Sequence, residues 1–138
     1  MQPAWQRAKQ QWETANPGQS FDGLLTTYVA HGCVVWSCAD EFLLACPVRL
    51  DEGRLVHDPE LADTWFIHLA AVSDANPKTP SQLLSTFTRL APRPLPFVAW
   101  HRRQSKRLHR HTWEQVQAII HRSTPSLHEH HRRSTTPA

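Results

Sequence analysis

The stretch Thr64–Arg103 constrains the fold more than any other part of the chain. It runs TWFIHLAAV, SDANPKTP, SQLLSTFTRL, then a proline-rich turn and LPFVAWHRR, a pattern of strand, loop, helix and strand. The helix start is explicit. Thr79 suits the N-cap, Pro80 the first helical position, where a missing N–H costs nothing, and Gln82 the third position of a capping box. Leu83, Leu84, Phe87 and Leu90 recur at helical spacing, and Pro92, Pro94 and Pro96 end the helix. Alternation along Thr64–Val72 puts Trp65, Ile67 and Leu69 on one face and Phe66, His68 and Ala70 on the other. A helix between two strands implies a right-handed crossover within a mixed sheet.

The rest of the chain supplies partners for this unit. Pro3–Ala15 forms a helix with Trp5, Ala8 and Trp12 on one face, stopped by Asn16-Pro17-Gly18. Ser20 caps a second helix over Phe21–His31, whose apolar face is Phe21, Leu24, Leu25 and Tyr28, and Gly32 ends it. Cys33–Cys38 is a strand by its β-branched and aromatic content. Ala39-Asp40 makes a tight turn into a strand over Glu41–Arg49, apolar enough to be buried on both faces. Pro47 lacks a ladder donor, so it belongs at an edge, at a bulge or in that strand's last third. Asp51-Glu52-Gly53 is a turn, and Leu55–Asp63 reads as loop or a short irregular helix. Strands joined by tight turns pair antiparallel. After the crossover, Leu95–Trp100 is a short strand and Leu108–His111 offers one more. Thr112 caps a last helix, Trp113 to about His121, with Trp113, Val116, Gln117 and Ile120 on one side. The expected class is α/β in the α+β sense: a mixed, mainly antiparallel sheet with flanking helices, in the order α-α-β-β-β-α-β-(β)-α. Residues 1–122 form one domain, and 123–138, rich in Pro, Ser, Thr and His, form a disordered basic tail.

Composition narrows the classes of function. No apolar run reaches membrane-spanning length, and MQPAWQRAKQQWE is too polar for a signal peptide. The three cysteines, Cys33, Cys38 and Cys46, cannot all pair, which suits reduced thiols in a cytoplasm. Charge is divided unevenly. Residues 1–100 hold seven Lys/Arg against ten Asp/Glu, whereas residues 101–138 hold eight against two, together with seven of the ten histidines. A mildly acidic body thus ends in a basic segment suited to phosphate or an acidic partner.

Five groups of residues invite chemistry. His68, mid-strand between Phe66 and Ala70, suits a general base or, more plainly, a core imidazole bonded to a backbone carbonyl. The loop Ser73–Thr79 opens onto a helix N-terminus with Lys78 beside it, where an anion is favoured, although the glycines of a phosphate cradle are missing. Cys33, Cys38, Cys46 and His31 lack zinc-knuckle spacing, and His128-Glu129-His130-His131 is a metal-sticky tract in a tail, so no metal site is expected. In HRRQSKRLHRH, Arg102, Arg103, Lys106, Arg107 and Arg110 suit salt-sensitive, nonspecific binding to nucleic acid, with Trp100 and Trp113 either stacking on bases or packed in the core.

The order of elements from Pro3 to His121 resembles the GNAT acetyltransferase fold without its first strand. The best-matching part is TWFIHLAAV…TPSQLLSTFTRL, which stands where GNATs grip the pyrophosphate of coenzyme A. More narrowly, FLLACPVR…TWFIHLAAV…LPFVAWHRR…RLHRHTWEQV resembles small GNAT-like proteins of phages and prophages. The resemblance implies an acyl-CoA cleft beyond Thr64–Val72, with acetyl-CoA held by Val72, Lys78, Thr79 and Ser81 and His68 as base. The chain departs from the family in three places. SDANPKTPSQ has none of the glycines of the pyrophosphate loop, the Thr64–Val72 strand carries no acidic base, and the last helix has no tyrosine.

Taken together, the sequence points to a degenerate GNAT-like protein, phage- or prophage-associated. It would lie in a bacterial host cytoplasm or a virion, not in a membrane, and bind nucleic acid or an acidic protein through its basic segment without a cofactor. The alternatives are an active acyl-CoA-dependent N-acyltransferase and a structural component of a phage particle that contacts other virion proteins.

Overall fold

The computed structural model describes residues 2–101 and 107–123. Its elements are α1 (Ala4–Ala15), α2 (Phe21–Ala30), β1 (Val34–Ser37), β2 (Glu41–Asp51), β3 (Arg54–His57), β4 (Thr64–Val72), α3 (Pro80–Leu90), β5 (Phe97–His101), β6 (Leu108–Thr112) and α4 (Trp113–Ser123). The expected class is observed: a mixed, mainly antiparallel sheet with flanking helices. The tail expected beyond Ser123 lies outside the described residues.

The six strands form one sheet in the order β1-β2-β4-β5-β6, with β3 also paired to β2. All pairings are antiparallel except β4 with β5, which α3 connects. β4 occupies one edge of β2, so β1 and β3 share the other edge end to end, β1 against residues 42–45 and β3 against 48–51. Pro47 sits at their junction. Its carbonyl accepts the Asp58 N–H (3.2 Å). The N–H and C=O of a strand residue point to the same edge, so the missing donor falls in the gap between β1 and β3, where it breaks no ladder bond.

β3 corrects the expectation of loop or irregular helix after Gly53. Arg54–His57 pairs with Val48–Asp51 through a hairpin in which Glu52 (φ 51°) and Gly53 (φ 79°) both adopt left-handed backbone, the geometry that matches strand twist in a two-residue hairpin turn. Four residues with only Leu55 and Val56 apolar give too little alternation to be recognised alone. The turn expected at Asp51-Glu52-Gly53 was the usable signal.

β2 is the spine of the molecule, and Glu41–Val48 are buried without exception. Its even-numbered side chains, Phe42, Leu44, Cys46 and Val48, meet Ala4, Ala8 and Phe21 from α1 and α2. Leu43 and Ala45 face the other way, into a core of Trp65, Leu84, Phe87, Val98 and Val116 built by α3 and α4. Helices thus cover both faces of a central sheet. α1 rests on the sheet through Ala4 and Ala8, small enough for close approach, while Trp5 turns outward at 43% exposure. That corrects the expected Trp5–Ala8–Trp12 face. Leu90, placed on the inward stripe of α3, is also exposed, at 38%. The Trp65 indole N–H donates to the carbonyl of Arg93 (2.9 Å) and fixes the proline-rich turn after α3.

The alternation expected along β4 fails at one residue. Leu44 pairs with Leu69, but Ala45 pairs with Ile67. His68 is therefore an extra residue in β4, a β-bulge with no partner across β2. Beyond it the faces exchange: Trp65 and Ile67 pack toward α3 and α4, whereas Leu69 and Ala71 join Phe66 on the α1/α2 side.

Candidate functional site

The bulge coincides with the place where the sheet opens. β5 accompanies β4 in parallel only from Thr64–Ile67 against Phe97–Trp100. From His68 to Val72 β4 continues beyond that pairing. The space between its second half, α3 and the end of β5 is a cleft of about 400 Å³, lined by Leu43, Ile67, Ala70, Leu83, Leu84 and Trp100, with His68 and His101 at its wall. The lining is apolar apart from the two imidazoles and Gln11 of α1, and the size lies within the range of small-molecule clefts.

His68 is not a buried core residue. Its surface is open, but aromatic rings crowd it. Tyr28 lies 5.5 Å away between centroids and Phe66 5.9 Å, and Phe66 in turn meets His101 edge-on at 5.4 Å. Desolvation by these neighbours, followed by the charge of His101, holds the His68 pKa below the ordinary imidazole value. An imidazole kept neutral at the wall of an apolar cleft is suited to accept a proton.

A smaller recess of about 140 Å³ adjoins the cleft and shares Gln11, Ala70, Pro80 and Leu83 with it. Its other lining residues include two cations, Arg7 and Lys78, together with Ala71 and Val72. Arg7 reaches across from α1. Its guanidinium donates to the Val72 carbonyl and pairs with Asp74 at 3.0 Å. Cleft and recess together form a trough with an apolar, imidazole-bearing end and a cationic end.

The structure brings His68, Val72 and Lys78 into this trough. Thr79 and Ser81 lie at the adjacent start of α3, where the expected capping box is present. The Thr79 N–H donates to Gln82 Oε1 (2.8 Å), and the Gln82 N–H donates to Thr79 Oγ1 (3.2 Å). Two donors that a phosphate would need are thus spent within the helix end. The preceding loop is also tied to carboxylate, with Ser73 and Asn76 both donating to Asp40. An anion here would be met by the side chains of Lys78 and of Arg7, the latter in exchange for its pairing with Asp74. Sequence reasoning missed Arg7. Its contact with Val72 spans 65 residues, and a lone arginine on a polar helix face carries no local signal.

Of the basic residues named for nucleic acid, Arg102, Arg103 and Lys106 lie outside the described residues. Arg107 is exposed. Arg110 is turned inward, paired with Asp63 (3.2 Å) and stacked 3.5 Å over the Phe97 ring. Trp100 stacks on His111 (4.9 Å), and Trp113 meets Phe87 edge-on, so both indoles pack with the α3/α4 core. Among the described residues no cluster of His, Cys, Asp or Glu suits a metal ion, and no helix is long and apolar enough to cross a membrane.

No family model matches the chain, and no curated protein or solved structure matches it either.

Proposed function

We propose that this chain is a GNAT-like domain that holds an acyl-CoA in the trough beside β4 and transfers its acyl group to an amine. The observation that carries the reading is the trough itself: an apolar cleft at the divergence of β4 and β5, an imidazole at its bulge, and two cations at its far end. An acyl thioester on a long linker that ends in phosphates has the same polarity from end to end. The apolar cleft takes the acyl group and the linker. Arg7 and Lys78 meet the phosphates as side chains, which offsets the absent glycines and the self-satisfied helix start.

The amine attacks in its neutral form: its lone pair adds to the thioester carbonyl carbon while His68 Nδ1 or Nε2 takes its proton. The tetrahedral intermediate breaks its C–S bond, and the expelled coenzyme A thiolate takes up that proton from the His68 imidazolium. Low polarity around His68 keeps the imidazole neutral and ready as base.

Ala70, an exposed residue, lines both the cleft and the recess. Ala70→Trp is expected to leave the unliganded Tm unchanged while abolishing the stabilisation that acetyl-CoA gives the parent chain. Equal stabilisation of the two proteins would contradict this location for the ligand.

A further inference from the structure

Away from the trough, on the α1/α2 face, lies a second group of reactive side chains. Cys33 and Cys46 are both buried and both free thiols. The register of β1 on β2 runs Ser37↔Phe42 to Val34↔Ala45, so the next pair is Cys33 opposite Cys46. Hydrogen-bonded and non-hydrogen-bonded pairs alternate along an antiparallel ladder. The Cys38 N–H donates to the Glu41 carbonyl, which marks 38/41 as a bonded pair and makes 33/46 a non-bonded one. Consistently, the Cys33 N–H turns away to the Tyr28 carbonyl (3.0 Å). Non-bonded pairs hold their Cα atoms about 4.5 Å apart, within the span of about 4.4–6.8 Å that a disulfide bridges.

A base is in place as well. The Cys33 sulfur lies 3.6 Å from His57 Nε2, and His57 lines an open groove together with Tyr28 and His31. The imidazole thus touches both the buried thiol and a solvent-facing groove. Cys33 directly precedes β1, a four-residue strand at the sheet edge, and short edge elements open locally at little cost.

We propose that Cys33 and Cys46 are a modification site: a dithiol that a low-molecular-weight disulfide oxidises to a cross-strand disulfide. Cys33 passes its proton to His57, and its thiolate attacks the small disulfide, forming a mixed disulfide and releasing one small thiolate. The Cys46 sulfur then attacks the Cys33 sulfur and expels the second. Two protein thiols are oxidised, one small disulfide is reduced to two thiols, and the two protons end on the leaving groups. Burial raises the pKa of both thiols, so the pair reacts slowly near neutrality and faster as pH rises. Cys38, beyond the opposite end of β1, is left out of the pairing.

The test uses the full chain under native conditions with excess glutathione disulfide at mildly alkaline pH, followed by denaturation, maleimide labelling and mass measurement. The expected product is a monomer in which Cys33 and Cys46 have together lost two hydrogen atoms, and in which peptide mapping finds a maleimide or a glutathione adduct on Cys38 alone. The Cys38→Ser chain should lose the same mass and take no maleimide. His57→Asn should reach the same product several-fold more slowly. A label on Cys33 or Cys46, or stable glutathione adducts on both in Cys38→Ser, would overturn the proposal.

Discussion

At the residue scale, His68 and Arg7 define the trough, and they differ in what the sequence disclosed. His68 stood out as an imidazole among apolar neighbours, yet its position as a bulge was hidden. A bulge is set by how two strands register, here Leu44↔Leu69 against Ala45↔Ile67, and nothing in TWFIHLAAV marks it. Arg7 was invisible because its role exists only once α1 crosses the end of β4. Its removal tests that role directly: Arg7→Ala should weaken acetyl-CoA binding about tenfold or more, as the loss of a charge-assisted contact to phosphate requires. His68→Gln should leave that affinity nearly unchanged and lower the rate of transfer by about 10²–10⁴-fold, the usual contribution of a general base. The same substitution has a pH signature. The folded-state pKa of His68 is depressed, so the unfolded chain takes up a proton there more readily than the folded one. The stability His68 contributes is full above the ordinary imidazole pKa and is lost as pH falls through and below it. Tm measured across that range should fall less steeply toward acid in His68→Gln than in the parent chain.

At the element scale, local chemistry was most legible where it is self-contained. Thr79-Pro80-Ser81-Gln82 specified its helix start fully, and both reciprocal hydrogen bonds are present. Thr112 repeats the device with Gln115, at 3.0 and 2.9 Å. Thr79→Ala should destabilise the fold by about 1 kcal/mol, measurable as a shift of the urea midpoint at unchanged m-value. The self-satisfaction that made this helix start legible also removes it as an anion grip, which is why the trough relies on side chains instead. β3 was illegible for the opposite reason. Its four residues carry no pattern of their own and become a strand by pairing with Val48–Asp51.

For the whole molecule, the continuous apolar run of β2 announced a strand buried on both faces, and the two cores on either side of it follow from that. Because both cores share β2, the two halves of the molecule are expected to melt together. Phe87→Ala, in the α3/α4 core, should cost roughly 3–5 kcal/mol, and unfolding of the parent chain should show coincident near- and far-UV transitions. The parallel pairing of β4 and β5 followed from the helix between them. That the pairing stops at Ile67 and leaves a cleft did not, since the lengths over which strands remain paired are decided by packing across the sheet rather than within either strand.

The central claim is that this trough holds an acyl-CoA. Calorimetric titration of acetyl-CoA into the full chain tests it most directly, with Arg7→Ala and Lys78→Ala measured alongside. The account predicts saturable binding at one site per chain, weakened in both variants, with the unliganded Tm of Lys78→Ala close to the parent's and that of Arg7→Ala lowered by loss of its contacts with Val72 and Asp74. No heat of binding at millimolar acetyl-CoA, or an affinity indifferent to both substitutions, would contradict it.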